Sequence, residues 1–96
     1  MLVLITYDVS TITSEGRRRL SQVAKKCQDY GQRVQNSVFE CVVDSTQFRR
    51  LRFELEELIN PDTDSLRFYN MGDRYKTKVE HIGAKPAYDM DSPLIL

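Results

Sequence analysis

This chain of 96 residues has no tryptophan, one histidine, two cysteines, three prolines and four glycines. Each shortage narrows the chemistry open to it. The lone histidine, His81, belongs to no Ser/His/Asp set, and it reads as a structural or interface residue ahead of a catalytic base. Cys27 and Cys41 lack the spacing of a zinc site and fall on apolar faces, where free thiols are commonly buried. The glycines form no loop of the kind that cradles phosphate, and no strand carries the aromatic signature of an RRM. No apolar stretch approaches the roughly 20 residues needed to span a bilayer. Met1-Leu2-Val3 enters the first expected strand at once, which leaves no room for a signal peptide and points to a cytoplasmic protein without membrane association. Net charge is missing too: 14 Lys and Arg balance 14 Asp and Glu, which argues against a generic polyanion binder. The balance is uneven along the chain. Residues 1–52 carry nine basic and five acidic residues, and residues 53–96 the reverse, so a local phosphate-binding surface remains open to the first half.

What the chain does have is a strongly patterned start. Leu2-Val3-Leu4-Ile5-Thr6-Tyr7 is almost wholly apolar, as expected of a central strand covered on both faces, and it ends in an acid, Asp8. Thr11 to Gly16 is rich in cap and turn residues. A helix should follow to about Tyr30, with Leu20, Val23, Ala24, Cys27 and Tyr30 on one stripe and Gly31 as the stop. Residues 33–43 read as one long strand, bulged early. Asp44-Ser45-Thr46-Gln47 is a capping-box pattern and opens a second helix that turns Phe48, Leu51, Leu55, Leu58 and Ile59 inward. Ser65 to Asn70 alternates, Met71-Gly72-Asp73 turns the chain, and Tyr75 to Ile82 reads as a polar edge strand.

The order is taken as βαββαβ, an α+β, ferredoxin-like arrangement with an antiparallel sheet and two helices on one face. Residues 1–82 would form this domain. Ile5 or Leu4, Phe39 and Phe68 are not expected all to fit beneath the helices, so the open sheet face should be buried by a second copy of the chain. The tail, residues 83–96, ends Pro93-Leu94-Ile95-Leu96, an apolar close suited to strand addition on a partner's sheet edge.

Asp8 is open to two readings, a turn residue or a metal ligand. Mg²⁺ takes one or two carboxylates and fills its other positions with water and phosphate. A twofold dimer that opposes two Asp8 side chains would supply both. Arg17, Arg18 and Arg19 follow at the start of the first helix, where cations oppose the helix dipole, and Arg33 opens the second strand. The planar guanidinium suits phosphate oxygens. Arg49, Arg50 and Arg52 are better read as a solvated face, since Glu54 and Glu56 stand at pairing distance along the helix.

Leu2 to Val9, the Arg17–Arg19 run, Gly31-Gln32-Arg33-Val34-Gln35-Asn36-Ser37-Val38-Phe39-Glu40-Cys41 and Lys78 to Pro86 together resemble the CRISPR-associated Cas-two family, with the His81-to-Pro86 segment similar to members from type I-C systems. The resemblance spans essentially the whole chain. It implies a dimeric ferredoxin-like fold and a metal-dependent endonuclease acting on single-stranded RNA or double-stranded DNA. It also implies a part in integrating new spacers beside the Cas-one integrase. By position it implies Asp8 as the Mg²⁺ ligand, with Mn²⁺ the alternative ion, Tyr7 beside it, and Arg33, Ser37 and Phe39 as site residues. From the arginine run it favours Arg18. The alternative is a non-catalytic adaptor dimer that binds prespacer DNA and bridges integrase dimers.

Overall fold

Four strands and two helices follow one another as βαββαβ in a computed structural model that describes residues 1–84. They are β1 (Leu2–Asp8), α1 (Ser14–Gln28), β2 (Gly31–Gln35), β3 (Val38–Val42), α2 (Ser45–Leu58) and β4 (Ser65–Asn70). The sheet order is β2-β3-β1-β4, and every neighbouring pair is antiparallel. This is the expected ferredoxin-like α+β fold.

Each helix starts where its cap residues require. The Thr13 side chain accepts the Gly16 N–H at 3.0 Å. Asp44 and Gln47 satisfy each other's backbone N–H groups at 2.7 and 3.0 Å, the capping box read from the sequence. The periodic stripes also land as expected. Val23, Ala24 and Cys27 of α1 and Leu51 and Leu55 of α2 pack on Val3, Ile5, Tyr7, Phe39, Cys41 and Val43 of the sheet side, so both helices cover one face. Both cysteines are free and buried.

Three expectations are corrected. The segment 33–43 is not one strand. Its chain reverses at Asn36–Ser37 to give the β2–β3 hairpin, with a register shift between Arg33 and Gln35. The segment Tyr75–Ile82 is not a strand among the described residues: it carries a turn closed by the Lys78 N–H on the Tyr75 carbonyl, which leaves β4 at the sheet edge. Finally, Ile5, Phe39 and Phe68 do all face the helices. Ile5 stands directly opposite both phenylalanines in the two ladders, so all three leave the sheet on the same side. Phe39 is fully buried there, and Phe68 meets Phe48 edge to face at 5.5 Å.

The same registers define the open face. Leu4 lies between Glu40 and Tyr69, and Thr6 between Val38 and Arg67. Apart from residues 83 and 84, the C-terminal tail lies outside the described residues.

Candidate functional site

The last two residues of β1 point in opposite directions because side chains alternate along a strand. Asp8 is exposed and shares the open face with Leu4 and Thr6. With Thr6, Tyr7, Ser37, Ser65 and Arg67 it lines a cleft of about 330 Å³. Ser37 is fixed there by the hairpin turn, and its carbonyl accepts the Tyr7 N–H at 2.9 Å. The Asp8 side chain makes no hydrogen bond or ion pair among the described residues.

Tyr7 goes the other way, into the helix side, and is 1% exposed. Its hydroxyl donates to Asp64, which lies just before β4. Arg19 from α1 grips the same carboxylate with two bonds, Nε to Oδ2 at 2.8 Å and Nη2 to Oδ1 at 3.2 Å. The Asn60 N–H and the Thr63 hydroxyl add bonds at 3.0 Å each. The Asp64 side chain is 1% exposed. Burial works against its charge, but the donors from Arg19, Tyr7, Asn60 and Thr63 outweigh it and hold the carboxyl well below the usual range. Burial, aided by the bond to Asp64, pushes the Tyr7 phenol up to about 12. This knot ties β1, α1 and the α2–β4 connection together immediately behind the Asp8 cleft.

The residues implied by the resemblance therefore separate. Asp8 and Ser37 share the cleft, and Tyr7 forms part of its wall. Phe39 is in the core, one face away from Asp8. Arg33 follows Phe39: its guanidinium carbon lies 5.8 Å from the ring centroid, and both Nε and Nη2 donate to the Asn36 carbonyl, at 2.8 and 2.6 Å. Arg17 braces the β1–α1 connection by donating to the Thr11 and Ile12 carbonyls at 2.9 and 3.0 Å. Arg18 is exposed, and its side chain makes no hydrogen bond or ion pair among the described residues. His81 is exposed in the segment beyond β4.

Sequence reasoning passes over Asp64 and Arg67. Asp64 sits in a Pro-Asp-Thr-Asp stretch that reads as a turn, and its partners are 45 and 57 residues away. Arg67 did carry a signal, since it takes the polar parity of an alternating strand.

Mg²⁺ and Mn²⁺ prefer hard oxygen donors. The cleft offers one carboxylate and the hydroxyls of Thr6, Ser37 and Ser65. Among the described residues there is no group of three or more His, Cys, Asp or Glu able to cage an ion. The donor set fits a largely hydrated cation held by one or two carboxylates, and the described residues of one chain supply only the first.

Residues 1–79 match the family model described as CRISPR associated protein Cas2. The chain belongs to that family. It is 65% identical over 95 residues to the CRISPR-associated endonuclease Cas2 of Halalkalibacterium halodurans, with 99% of each chain covered. It is 57% identical to the CRISPR-associated endoribonuclease Cas2 3 of Rhodospirillum rubrum, covering 99% of this chain and 100% of that one. The crystal structure of Streptococcus pyogenes Cas2 superposes with a TM-score of 0.79 at 53% identity, covering 86% of this chain and all of that one. Relatives named as nucleases support a CRISPR-associated nuclease role for this Cas2 family member.

Proposed function

We propose that the protein is a homodimeric, metal-dependent endonuclease that cuts phosphodiester bonds of RNA or DNA at Asp8. The observation that carries this reading is the position of Asp8, exposed at the end of β1 on the face that no helix covers. Leu4, Val38 and Val42, partly exposed on that face, and Tyr69, 41% exposed, offer a second copy of the chain an apolar surface to pack on. Phe39 and Phe68 face the helices and take no part in it. Packing two such faces about a twofold axis near the end of β1 opposes two Asp8 carboxylates and completes the ligand set. A bound Mg²⁺ or Mn²⁺ supplies a more acidic water and stabilises charge on the phosphate. The chain's own part is to hold the Asp8 carboxylate in place, with the Ser37 backbone and the Tyr7–Asp64 knot fixing the strand end. Exposed Arg18 offers a free guanidinium to flanking phosphates. Asp8→Asn should abolish cleavage of labelled single-stranded RNA and duplex DNA while leaving the fold and dimer intact; cleavage at the wild-type rate refutes the reading.

The adaptor reading has one observation in its favour: among the described residues, each chain brings a single carboxylate to the cleft. In that reading the dimer binds prespacer DNA and joins copies of the Cas-one integrase. Spacer acquisition retained in cells carrying Asp8→Asn supports the adaptor, and its loss supports required catalysis.

A further inference from the structure

The Asp8 cleft contains a cation that the reading above leaves unused. Arg67 stands opposite Thr6 in the β1–β4 ladder, so it leaves the sheet on the Asp8 face, and it lines the cleft with Asp8, Ser37 and Ser65. It is exposed and forms no ion pair among the described residues, although a carboxylate lines the same cleft. Its orientation is set from its own strand. Nη1 donates to the Tyr69 hydroxyl at 3.0 Å, and the guanidinium carbon lies 6.0 Å from the Tyr69 ring centroid. A guanidinium has five N–H donors, so this bond leaves most of the fork available. Of the other arginines near the strand end, Arg19 is committed to Asp64, Arg17 to the Thr11 and Ile12 carbonyls and Arg33 to the Asn36 carbonyl, while Arg18 is exposed but does not line the cleft.

We propose that Arg67 binds the phosphodiester presented to Asp8, with Tyr69 as the residue that aims it. This rests on the Asp8 cleft being the cutting site. A carboxylate and a guanidinium that share a cleft without pairing leave room for a phosphate group between them. There the carboxylate serves the metal side and the guanidinium the phosphate oxygens. A purely structural arginine stacked on its neighbour would take no part in substrate affinity, and that difference is measurable.

The test measures binding of fluorescein-labelled single-stranded RNA and duplex DNA by anisotropy in EDTA, across a salt series. Cleavage in Mg²⁺ and sedimentation of the dimer are followed in parallel. Arg67→Gln should weaken binding of the cleaved polymer about tenfold, as for loss of one charge-assisted contact. It should also flatten the slope of log K against log salt by about one. Cleavage should fall mainly through KM. Arg67→Lys should recover part of the affinity, because it keeps the charge and loses the fork. Unchanged affinity and salt slope in Arg67→Gln overturn the proposal. So does dissociation of the dimer, which would make Arg67 a subunit contact. Asp8→Asn separates the two readings. If it is inactive while Arg67→Gln behaves as wild type, only the Arg67 proposal fails. If it cuts at the wild-type rate, the cleft is not the cutting site.

Discussion

Asp64→Asn is the most informative stability perturbation, because it removes a charge from a buried site while nearly keeping its shape. Five donors converge on the two oxygens of Asp64: Oδ2 accepts from Tyr7, Arg19 Nε and the Asn60 N–H, and Oδ1 from Arg19 Nη2 and the Thr63 hydroxyl. Whichever way the amide is turned, its NH₂ group meets donors. Hydrogen bonds to a charged group contribute about 1.5–3 kcal/mol each, and removing one member of a buried pair costs about 3–5 kcal/mol. Arg19 is 21% exposed and recovers some solvation, which favours the lower end, about 3 kcal/mol. For a domain of this size that corresponds to a fall in Tm of roughly 12–24 °C. The assay is urea unfolding followed by far-UV circular dichroism at fixed protein concentration, since the chain has no tryptophan to report. The pH dependence has a definite sign. The folded carboxyl of Asp64 is held below its unfolded value, so its contribution is complete above about pH 4 and is lost as pH falls further toward the folded value. The gap between wild type and Asp64→Asn should therefore be constant from pH 5 to 7 and narrow below about pH 4. A gap of less than about 0.5 kcal/mol at pH 7 would sink the account, since that is the ordinary scatter of surface substitutions.

Two further predictions test where the implied site residues sit. Ultraviolet titration should show a phenol ionising only near pH 12 that is lost in Tyr7→Phe; because the folded Tyr7 phenol is raised, its stabilising contribution should persist below about pH 10 and disappear as pH climbs through 12. A titration curve that Tyr7→Phe leaves unchanged at its alkaline end would contradict the buried bond to Asp64. Phe39→Leu should cost about 1–2 kcal/mol in urea unfolding and leave the cleavage rate of the folded protein unchanged, because Phe39 is a core side chain on the face away from Asp8. A large loss of cleavage in well-folded Phe39→Leu would return Phe39 to the site.

The parts of the fold legible in the sequence are those with local signals. The β1 run, the inward stripes of α1 and α2, and the Asp44–Gln47 box all act within a few residues of themselves. The β2–β3 hairpin is not legible, because its turn residues Asn36 and Ser37 interrupt an alternation that reads correctly on both sides, and the bulge at Arg33–Gln35 blurs the register. The edge strand expected at Tyr75–Ile82 fails for a related reason. Lys76, Thr77, Lys78 and Glu80 bring little apolar area, and nothing local obliges them to pair. Which of Ile5, Phe39 and Phe68 faces the helices depends on two registers at once, which no single segment contains. Asp8 is legible as an acid at a strand end. Asp64 is not, since its role exists only once Arg19 and Tyr7 have been brought to it.

The division between Tyr7 and Asp8 also changes how loss-of-function variants at this strand end are to be interpreted. Adjacent in sequence, the two residues occupy opposite faces, one in a buried knot and one in an open cleft. If cleavage takes place at Asp8, a Tyr7 or Arg19 variant should stop it through Asp64, by releasing the strand that carries Asp8. Such variants should lose activity in step with stability and regain it on cooling. Asp8 variants have no such recourse, because an exposed carboxylate without a side-chain partner among the described residues contributes little to folding. Activity loss uncoupled from stability is therefore the signature of the cleft, and coupled loss the signature of the knot behind it.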